Sequence, residues 1–209
     1  MAYLLTDRSV RNFGVARDGG KRELIKAEAL RLFATRGVDA VSVQDIATAC
    51  AMAKPNLYAH FASKDALVAQ LFTEGYRDYG EKMRAAVAGS GPFADKLACL
   101  VRLICLLHDT DQMRFRFILM TQHANLSAIA IDAANPVEIV VRLVQAAIVA
   151  GEIPPGNAEL LAACIIGLVV QPATFLLYGR IGDGLAPHVD TIVAMCLRVT
   201  QGSKEDVLF

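Results

Sequence analysis

Apolar residues recur along most of the chain at spacings of three and four, the pattern of an amphipathic helix. The first such run begins at Lys21. Its apolar face comprises Ile25, Ala29, Leu32 and Phe33. Gly37 is a typical C-terminal cap, and Ser42 followed by Asp45 has the form of a capping box. The pattern therefore predicts one helix that ends near Gly37 and a second that begins after Ser42.

A break at residues 51–53 separates the second helix from a short third one, which we expect to run to about Phe61. Ser63 then caps a long fourth helix that reaches about Val87. Further helical runs cover residues 93–107, 113–122, 136–150, 157–178 and 187–200. Asn135 before Pro136 is a typical helix start. Alternation with a period of two is not apparent in the sequence, so we predict an all-α fold of about nine helices.

Composition supports a packed protein. The chain has 209 residues, of which 55% are hydrophobic and 20% charged, enough to bury a sizeable core. Its formal net charge is zero. Residues 1–65 carry 10 Lys or Arg against 7 Asp or Glu, whereas residues 66–209 carry 11 against 14. This modest asymmetry is compatible with an N-terminal region that faces DNA.

The five cysteines (50, 99, 105, 164 and 196) lie among apolar residues and form no CxxC pair. We therefore expect small core residues in a reducing compartment, with redox sensing by one of them as the alternative. The first residues lack the apolar run of a signal peptide, so a cytoplasmic protein is expected.

Residues 42–61 read SVQDIATACAMAKPNLYAHF and fit two short helices joined by a tight turn, braced by the helix before them. This is the helix-turn-helix arrangement, whose second helix enters the major groove of DNA. Leu57 and Phe61 are placed to hold that helix to the core. Its exposed face would then carry Lys54, Pro55, Asn56, Tyr58 and His60.

Residues 22–70 closely resemble the DNA-binding domain of the TetR/AcrR family of transcriptional regulators. The matching positions are Ile25, Ala29, Phe33 and Gly37, then VSVQDIA and LYAHFASKDAL. The remainder resembles the family only in being helical and apolar. The resemblance implies a homodimer that binds a double-stranded, imperfectly palindromic operator. It also implies a regulator, usually a repressor, that is released by a small-molecule effector; an activator is the alternative.

The resemblance also assigns roles to residues. Ser42, Val43 and Gln44 begin the helix that abuts the DNA backbone. Lys54, Pro55 and Asn56 open the recognition helix, Tyr58 and His60 lie along it, and Lys64 begins the next helix. In the family, the tyrosine and this lysine typically contact phosphates. The bland alternatives are that Tyr58 only braces the domain, that Lys64 is a solvated lysine, and that Gln44 and His60 make no contact with DNA.

Two residues depart from the family's usual pattern. Ala51 stands where the turn commonly has a glycine, and Ala53 stands where it commonly has a capping serine. An alanine with positive φ and a missing cap each cost about 1 kcal/mol. Pro55 partly offsets these costs, since proline is preorganised for a helix start.

Three divisions follow: a flexible arm at residues 1–20, the helix-turn-helix domain at residues 21–66, and a helical effector-binding and dimerisation domain at residues 67–209. Candidate effector ligands in the last are Met113, Phe117, Met120, His123 and Phe175, although an aromatic and methionine stripe is also typical of plain core. We expect a largely apolar effector. One of four arginines, at positions 102, 114, 116 and 142, could meet an anionic head group.

No metal or cofactor is expected. His108, Asp109 and Asp111 are residue types that bind metals, but they lie in a predicted polar turn without a second histidine at helical spacing. We therefore expect them to face solvent. Phosphate-binding, HExxH and GxSxG motifs do not occur, so the protein is predicted not to be an enzyme.

Residues 160–178 contain no charge. We interpret them as part of a dimer interface formed by two helices from each subunit. The candidate interface residues are Gly167, Leu168, Leu176, Ile192, Met195, Cys196 and Val199. The alternative is a helical membrane-associated or interaction module that uses this segment as an anchor, since its length could span a bilayer. Gln171 and Pro172 inside the segment favour the interface over a membrane span, so no membrane association is expected.

Overall fold

The computed structural model describes residues 18–125, 129, 131–182 and 184–201. These residues form nine α-helices and one short 3-10 helix, and no strand occurs among them, which confirms the all-α prediction. The helices are α1 (Asp18–Arg36), α2 (Val43–Ala49), α3 (Lys54–Tyr58), α4 (Lys64–Ala86), α5 (Phe93–Thr110), α6 (Gln112–Asn125), α7 (Pro136–Val149), α8 (Ala158–Leu177) and α9 (Val189–Val199). The 3-10 helix (Ala186–His188) precedes α9.

The chain divides into two compact units, the first ending at Leu67 and the second beginning at Val68. The first unit contains α1, α2, α3 and the start of α4. Its core includes Ile25, Ala29, Phe33, Ile46, Leu57 and Phe61. The helix α1 begins at Asp18, so residues 18–20 of the predicted flexible arm are helical instead. Residues 1–17 of that arm lie outside the described residues.

The ends of the first two helices are fixed by local hydrogen bonds. Gly37 has a φ of +83°, the left-handed conformation that glycine adopts easily, and its N–H donates to the Phe33 carbonyl at 2.9 Å. The Asp45 N–H donates to Ser42 Oγ at 3.1 Å, and the Ser42 N–H donates to Asp45 Oδ2 at 2.8 Å. The predicted capping box is therefore confirmed.

In the second unit, α5 packs against α7, α8 and α9. Its buried face contributes Leu97, Leu100, Val101 and Cys105. The facing helices contribute Val140, Val144, Ile165, Val169, Ile192 and Cys196. The spacing of three and four along each helix turns one stripe inward, as the sequence pattern requires.

The end of α5 is bonded to the segment that precedes α9. Asp109 Oδ1 accepts a hydrogen bond from the Leu185 N–H at 2.9 Å, and Oδ2 accepts one from the Ala186 N–H at 2.8 Å. His108 Nδ1 lies 2.7 Å from Asp109 Oδ1. The expectation that His108 and Asp109 face solvent is therefore wrong for this pair, because the carboxylate satisfies backbone donors at the start of the 3-10 helix.

One glycine permits a close helix–loop contact. A Cβ on Gly80, in the C-terminal half of α4, would lie 1.8 Å from the carbonyl oxygen of Ala134. Nearby, Arg77 Nη1 lies 2.7 Å from Asp132 Oδ2 and fastens the same loop to α4. Asn135 caps α7, accepting from the Val137 N–H at 3.0 Å. These contacts fix where α7 begins relative to α4.

Candidate nucleic-acid interface and ligand cavities

The turn between α2 and α3 has the geometry that the two unusual alanines predict. Ala51 has a φ of +51°, which places a residue with a Cβ in the left-handed region. Ala53 occupies the N-cap of α3 in an extended conformation, and its methyl side chain offers no acceptor to the helix. Helix α3 ends at Tyr58, before the predicted Phe61. The N–H groups of His60 and Phe61 nevertheless donate to the Leu57 carbonyl, each at 3.0 Å, and continue the turn.

The short α3 presents polar groups outward. Leu57 is fully buried, whereas Lys54, Pro55, Asn56 and Tyr58 are exposed. Tyr58 is 45% exposed, and Lys54 Nζ lies 6.0 Å from the centroid of its ring. A cation, an amide and a phenol are thus all accessible on this short helix. These are groups that bind phosphates and base edges.

The other residues predicted to contact DNA in α2 and after α3 differ in exposure. Ser42 and Gln44 at the start of α2 are exposed, and Val43 is half-buried. Gln44 Nε2 donates to Thr48 Oγ1 at 3.3 Å. His60 is half-buried at the end of α3.

Arg22 is a residue that sequence reasoning missed. Its guanidinium donates to the carbonyl of His60 and lies 4.3 Å from the centroid of the Phe61 ring. It therefore binds the end of α3 to α1. An arginine near the start of a helix gives no local signal of this role, because the contact spans 38 positions in sequence.

Lys64 makes specific contacts of its own. Its Nζ donates to the carbonyl oxygens of Val38 and Val41, at 3.0 and 3.1 Å. An ammonium has three N–H donors, so these two bonds leave one for a phosphate. The solvated-lysine alternative is wrong, since the side chain also stabilises the loop between α1 and α2.

A cavity of about 130 Å³ lies within the second unit. Its polar lining residues are Tyr76, Tyr79 and Gln122. The apolar lining residues are Met83, Ile104, Leu107, Phe115, Ile118, Leu119, Pro136, Val137, Val140, Ile166, Val169 and Val170. No charged side chain lines it among the described residues, which is the chemistry of a site for an apolar molecule.

The two tyrosines of this cavity are strongly desolvated. Burial raises the pKa of Tyr76 to about 12 and raises the pKa of Tyr79 above its ordinary value. The negative charge of Asp111 adds to the second shift, but no hydrogen bond of normal geometry reaches the buried Tyr79 hydroxyl within the described structure. Both phenols are therefore neutral at physiological pH.

The five residues predicted to line the ligand cavity do not line it in the part of the chain that is described. Met113, Met120 and Phe175 are each more than 40% exposed, His123 is also exposed, and Phe117 is buried elsewhere in the core. The error concerns register. On α6 the cavity face consists of Phe115, Ile118, Leu119 and Gln122, at i, i+3, i+4 and i+7. That spacing was the available signal.

A second cavity, of about 320 Å³, adjoins the first. Its lining residues are His108, Gln112, Phe115, Arg116, Leu119, Ala173, Leu176, Leu177, Ile181 and Gly184. Phe115 and Leu119 line both cavities. The second cavity is the more polar of the two, since it includes an imidazole, an amide and a guanidinium.

The predicted dimer residues divide between surface and core. Gly167, Met195 and Val199 are exposed, and Leu168 and Leu176 are half-buried. Ile192 and Cys196 are only 4% and 0% exposed within one protomer, so their side chains are not available to a partner and their assignment to an interface is wrong. They face α5 and α8 instead, because every third or fourth residue of α9 points inward.

An apolar stripe remains exposed along α8. Leu160, Phe175 and Tyr178, just past its end, are 63%, 42% and 68% exposed. Ala163, Cys164, Gly167 and Gln171 are exposed on the turns between them. Among the described residues, α8 is also the one helix long and apolar enough to cross a membrane, by length and composition alone. Core helices of soluble proteins meet the same criterion.

The cysteines fall into two groups. Burial raises the pKa of both Cys105 and Cys196 to about 11, which keeps them as unreactive thiols. Cys50 is also buried, whereas Cys99 and Cys164 are exposed. In the described part of the chain no three His, Cys, Asp or Glu side chains form a group that could hold a metal ion.

Comparison with known proteins identifies the first unit. Residues 21–71 match the sequence model of the bacterial regulatory proteins of the tetR family. Over 48 residues the chain is 44% identical to YerO of Bacillus subtilis, an uncharacterized HTH-type transcriptional regulator, covering 23% of this chain. The match spans only 17% of that relative's length. The helix-turn-helix unit is thus a TetR-family DNA-binding domain, as the sequence resemblance indicated.

Solved structures extend the likeness of fold to both units. A tetR-family regulatory protein from Rhodococcus RHA1 aligns with a TM-score of 0.73 at 20% identity, covering 88% of this chain and 98% of that protein. AibR, solved in complex with isovaleryl coenzyme A and operator DNA, aligns with a TM-score of 0.68 at 22% identity, covering 84% and 97%. At such identities the comparison shows the TetR-type fold.

Proposed function

We propose that the protein is a homodimeric transcriptional repressor that binds an imperfectly palindromic operator and releases it when a largely apolar small molecule enters the first cavity. The observation that carries the proposal is the exposed polar face of α3, held by the buried Leu57 within a TetR-family domain. Such a regulator acts in the cytoplasm, where its operator lies, and catalyses no reaction.

The two lysines of the first unit test DNA binding. Lys54→Ala should weaken binding on every duplex and lower the slope of affinity against salt by about 1, without affecting the melting temperature, because its side chain is exposed. Lys64→Ala should have the same effect on the slope and also lower the melting temperature, because two loop carbonyls lose their donor.

The measurement is fluorescence anisotropy at several salt concentrations, on duplexes carrying inverted repeats from the DNA that flanks the gene. Lys96→Ala, in the second unit, is the control and should bind like the original protein. An unchanged affinity and salt slope for Lys54→Ala would contradict the assignment of the interface to α3.

Asn56 is proposed to read a base. Its side chain is exposed on α3, and an amide can bond two edge atoms of adenine in the major groove. Asn56→Ala should therefore change which base pairs are preferred at one position of each half-site, with each lost pair contributing about 1–3 kcal/mol of discrimination. Binding to a randomised duplex library would show this; a uniform loss on all sequences would instead assign Asn56 to the backbone.

Dimerisation is proposed to cover the exposed stripe of α8 together with Met195 and Val199 of α9. An apolar surface of this kind is closed most simply by the same surface of a second copy. Phe175→Asp should give monomers in gel filtration with light scattering and abolish operator binding, although it touches no DNA-binding residue. Leu106→Asp, at a residue of α5 that is 56% exposed, is the matched control and should remain dimeric.

The native cysteines report on the same interface. Cys164 lies on the stripe, whereas Cys99 is exposed on α5. In the dimer, alkylation of Cys164 should be slow relative to Cys99, and Phe175→Asp should abolish the difference. Recovery of the protein only in the membrane fraction, with detergent needed for extraction, would support the anchor alternative for residues 160–178.

The effector proposal rests on the uncharged lining of the first cavity. AibR, of similar fold, was solved with both an acyl thioester of coenzyme A and operator DNA, which supports a ligand-responsive function for the second unit here. Apolar compounds should raise the melting temperature and release the operator. Release by multiply charged, non-lipidic metabolites alone would contradict the proposal.

A further inference from the structure

The two cavities of the second unit lie in succession along one face of α8. The first is lined by Ile166, Val169 and Val170, and the second by Ala173, Leu176 and Leu177. The two sets are displaced by seven residues, which corresponds to about 10 Å along a helix. A single elongated molecule could therefore occupy both cavities.

On α6 the two cavities share part of their wall. Phe115 and Leu119 line both, whereas Gln112 and Arg116 line only the second cavity and Ile118 only the first. Phe115 and Leu119 are separated by one helical turn, so the same pair of side chains belongs to the walls of both cavities.

Arg116 differs from the other arginines of the second unit that the sequence offered as partners for an anion. Arg102 pairs with Asp190, Arg114 with Asp78 and Asp111, and Arg142 with Glu138. Arg116 forms no hydrogen bond or ion pair with any described residue, and of the four it alone lines either of these two cavities. Its guanidinium can therefore bind an anion without breaking an existing contact.

We infer that the two cavities form one site for an amphiphilic anion, with the aliphatic tail in the uncharged first cavity and the anionic head beside Arg116 in the second. The inference rests on the proposed function and specifies its effector. An extended chain of about eight carbons spans roughly 9 Å, close to the separation of the cavities. The shared chemistry is an acyl chain with an anion at one end, either a free carboxylate or the phosphates of a coenzyme thioester.

The test measures direct binding by titration calorimetry in the absence of DNA. Octanoate should bind at least about tenfold more tightly than octan-1-ol, since a charge-assisted hydrogen bond is worth more than a neutral one. Octanoate should also bind more tightly than butanoate, whose chain fills only one cavity. Octanoyl coenzyme A, compared with octanoate, distinguishes the two sources of the anion.

Arg116→Gln is the decisive variant. It should weaken octanoate binding by about tenfold or more and leave octan-1-ol binding unchanged, because the tail cavity is intact. Arg142→Gln is the matched control, because Arg142 is a cation of α7 that lines neither cavity. This variant should bind octanoate normally. Unchanged octanoate affinity in Arg116→Gln, or equal affinity of the original protein for octanoate and butanoate, would overturn the inference.

Operator release is measured separately, so the two proposals can fail independently. Octanoate that binds through Arg116 without releasing DNA would contradict the proposed function and support the site. Release by octan-1-ol and octanoate alike, at equal affinity, would support the proposed function and overturn the anionic head site.

Discussion

The first unit carries its candidate DNA-binding groups on an exposed surface, whereas the first cavity of the second unit is lined mainly by buried and half-buried residues. On α3 the functional and structural residues are of different types, since Lys54, Asn56 and Tyr58 face outward and Leu57 is buried. In the second unit the cavity walls are built from the same residue types as the core, with Val169 and Phe115 serving as both. Residue type is therefore enough to identify the surface site, whereas the cavity is defined by which helix face its residues occupy and by the space left between them.

The interior site depends on close backbone contacts, and Gly80→Ala tests this dependence with the largest expected effect. The added Cβ would lie 1.8 Å from the Ala134 carbonyl oxygen, so the loop before α7 must move. We expect the free energy of unfolding to fall by about 3 kcal/mol, because overpacking outweighs the gain in helix propensity. Since Pro136 and Val137 line the first cavity, ligand-induced stabilisation should fall as well.

Chemical denaturation with and without octan-1-ol measures both effects. Gly156→Ala is the control, because its nearest new contact would be an ordinary one at 3.7 Å. A Gly80→Ala protein as stable as the original would show that the loop is free to shift. The first cavity would then not depend on the close contact between Gly80 and Ala134.

Asp109 offers a second test of the interior, with an intermediate effect and a defined pH dependence. Burial alone would raise the pKa of Asp109, but hydrogen bonds from the Leu185 N–H, His108 and the Ala186 N–H outweigh it and lower the pKa below 3.8. Asp109→Asn should therefore cost about 1–2 kcal/mol of stability at neutral pH, by replacing charge-assisted bonds with weaker neutral ones.

The sign of the pH effect follows from the direction of the shift. A lowered pKa in the folded state adds stability above the unfolded value of about 3.8, and this stability is lost as pH falls through the folded value. The difference between the original protein and Asp109→Asn should thus shrink below about pH 3.8. Asp95→Asn, on the exposed first turn of α5, should show little difference at neutral pH. A constant difference across this range would assign the effect to packing.

The predictability of the two units differs for physical reasons. Helix positions followed from apolar periodicity and caps in both, and Ser42, Asp45 and Gly37 behave as their residue types dictate. The residues that line the cavity could not be predicted in this way, because Phe117 and Phe115 have the same chemistry and differ only in which face of α6 they occupy. The assignment of Ile192 and Cys196 to the dimer interface is wrong for the same reason, since both lie on the inward face of α9. Contacts distant in sequence, such as Arg22 with His60, leave no local pattern.

The smallest expected effect concerns the turn of the first unit. Ala51 has a φ of +51°, a conformation that costs a residue with a Cβ about 1–2 kcal/mol. Glycine removes that strain but loses more backbone entropy on folding, so Ala51→Gly should raise stability by only about 0.5 kcal/mol.

Hydrogen exchange at the amides of Cys50, just before the turn, and Phe61, just after α3, measures this change within the first unit alone. Ala49→Gly is the matched control with the opposite sign, since Ala49 lies in α2, where glycine costs about 0.5–1 kcal/mol. A loss of protection in Ala51→Gly equal to that in Ala49→Gly would mean that the turn carries no strain. Alanine would then be as well suited as glycine to this position of the turn.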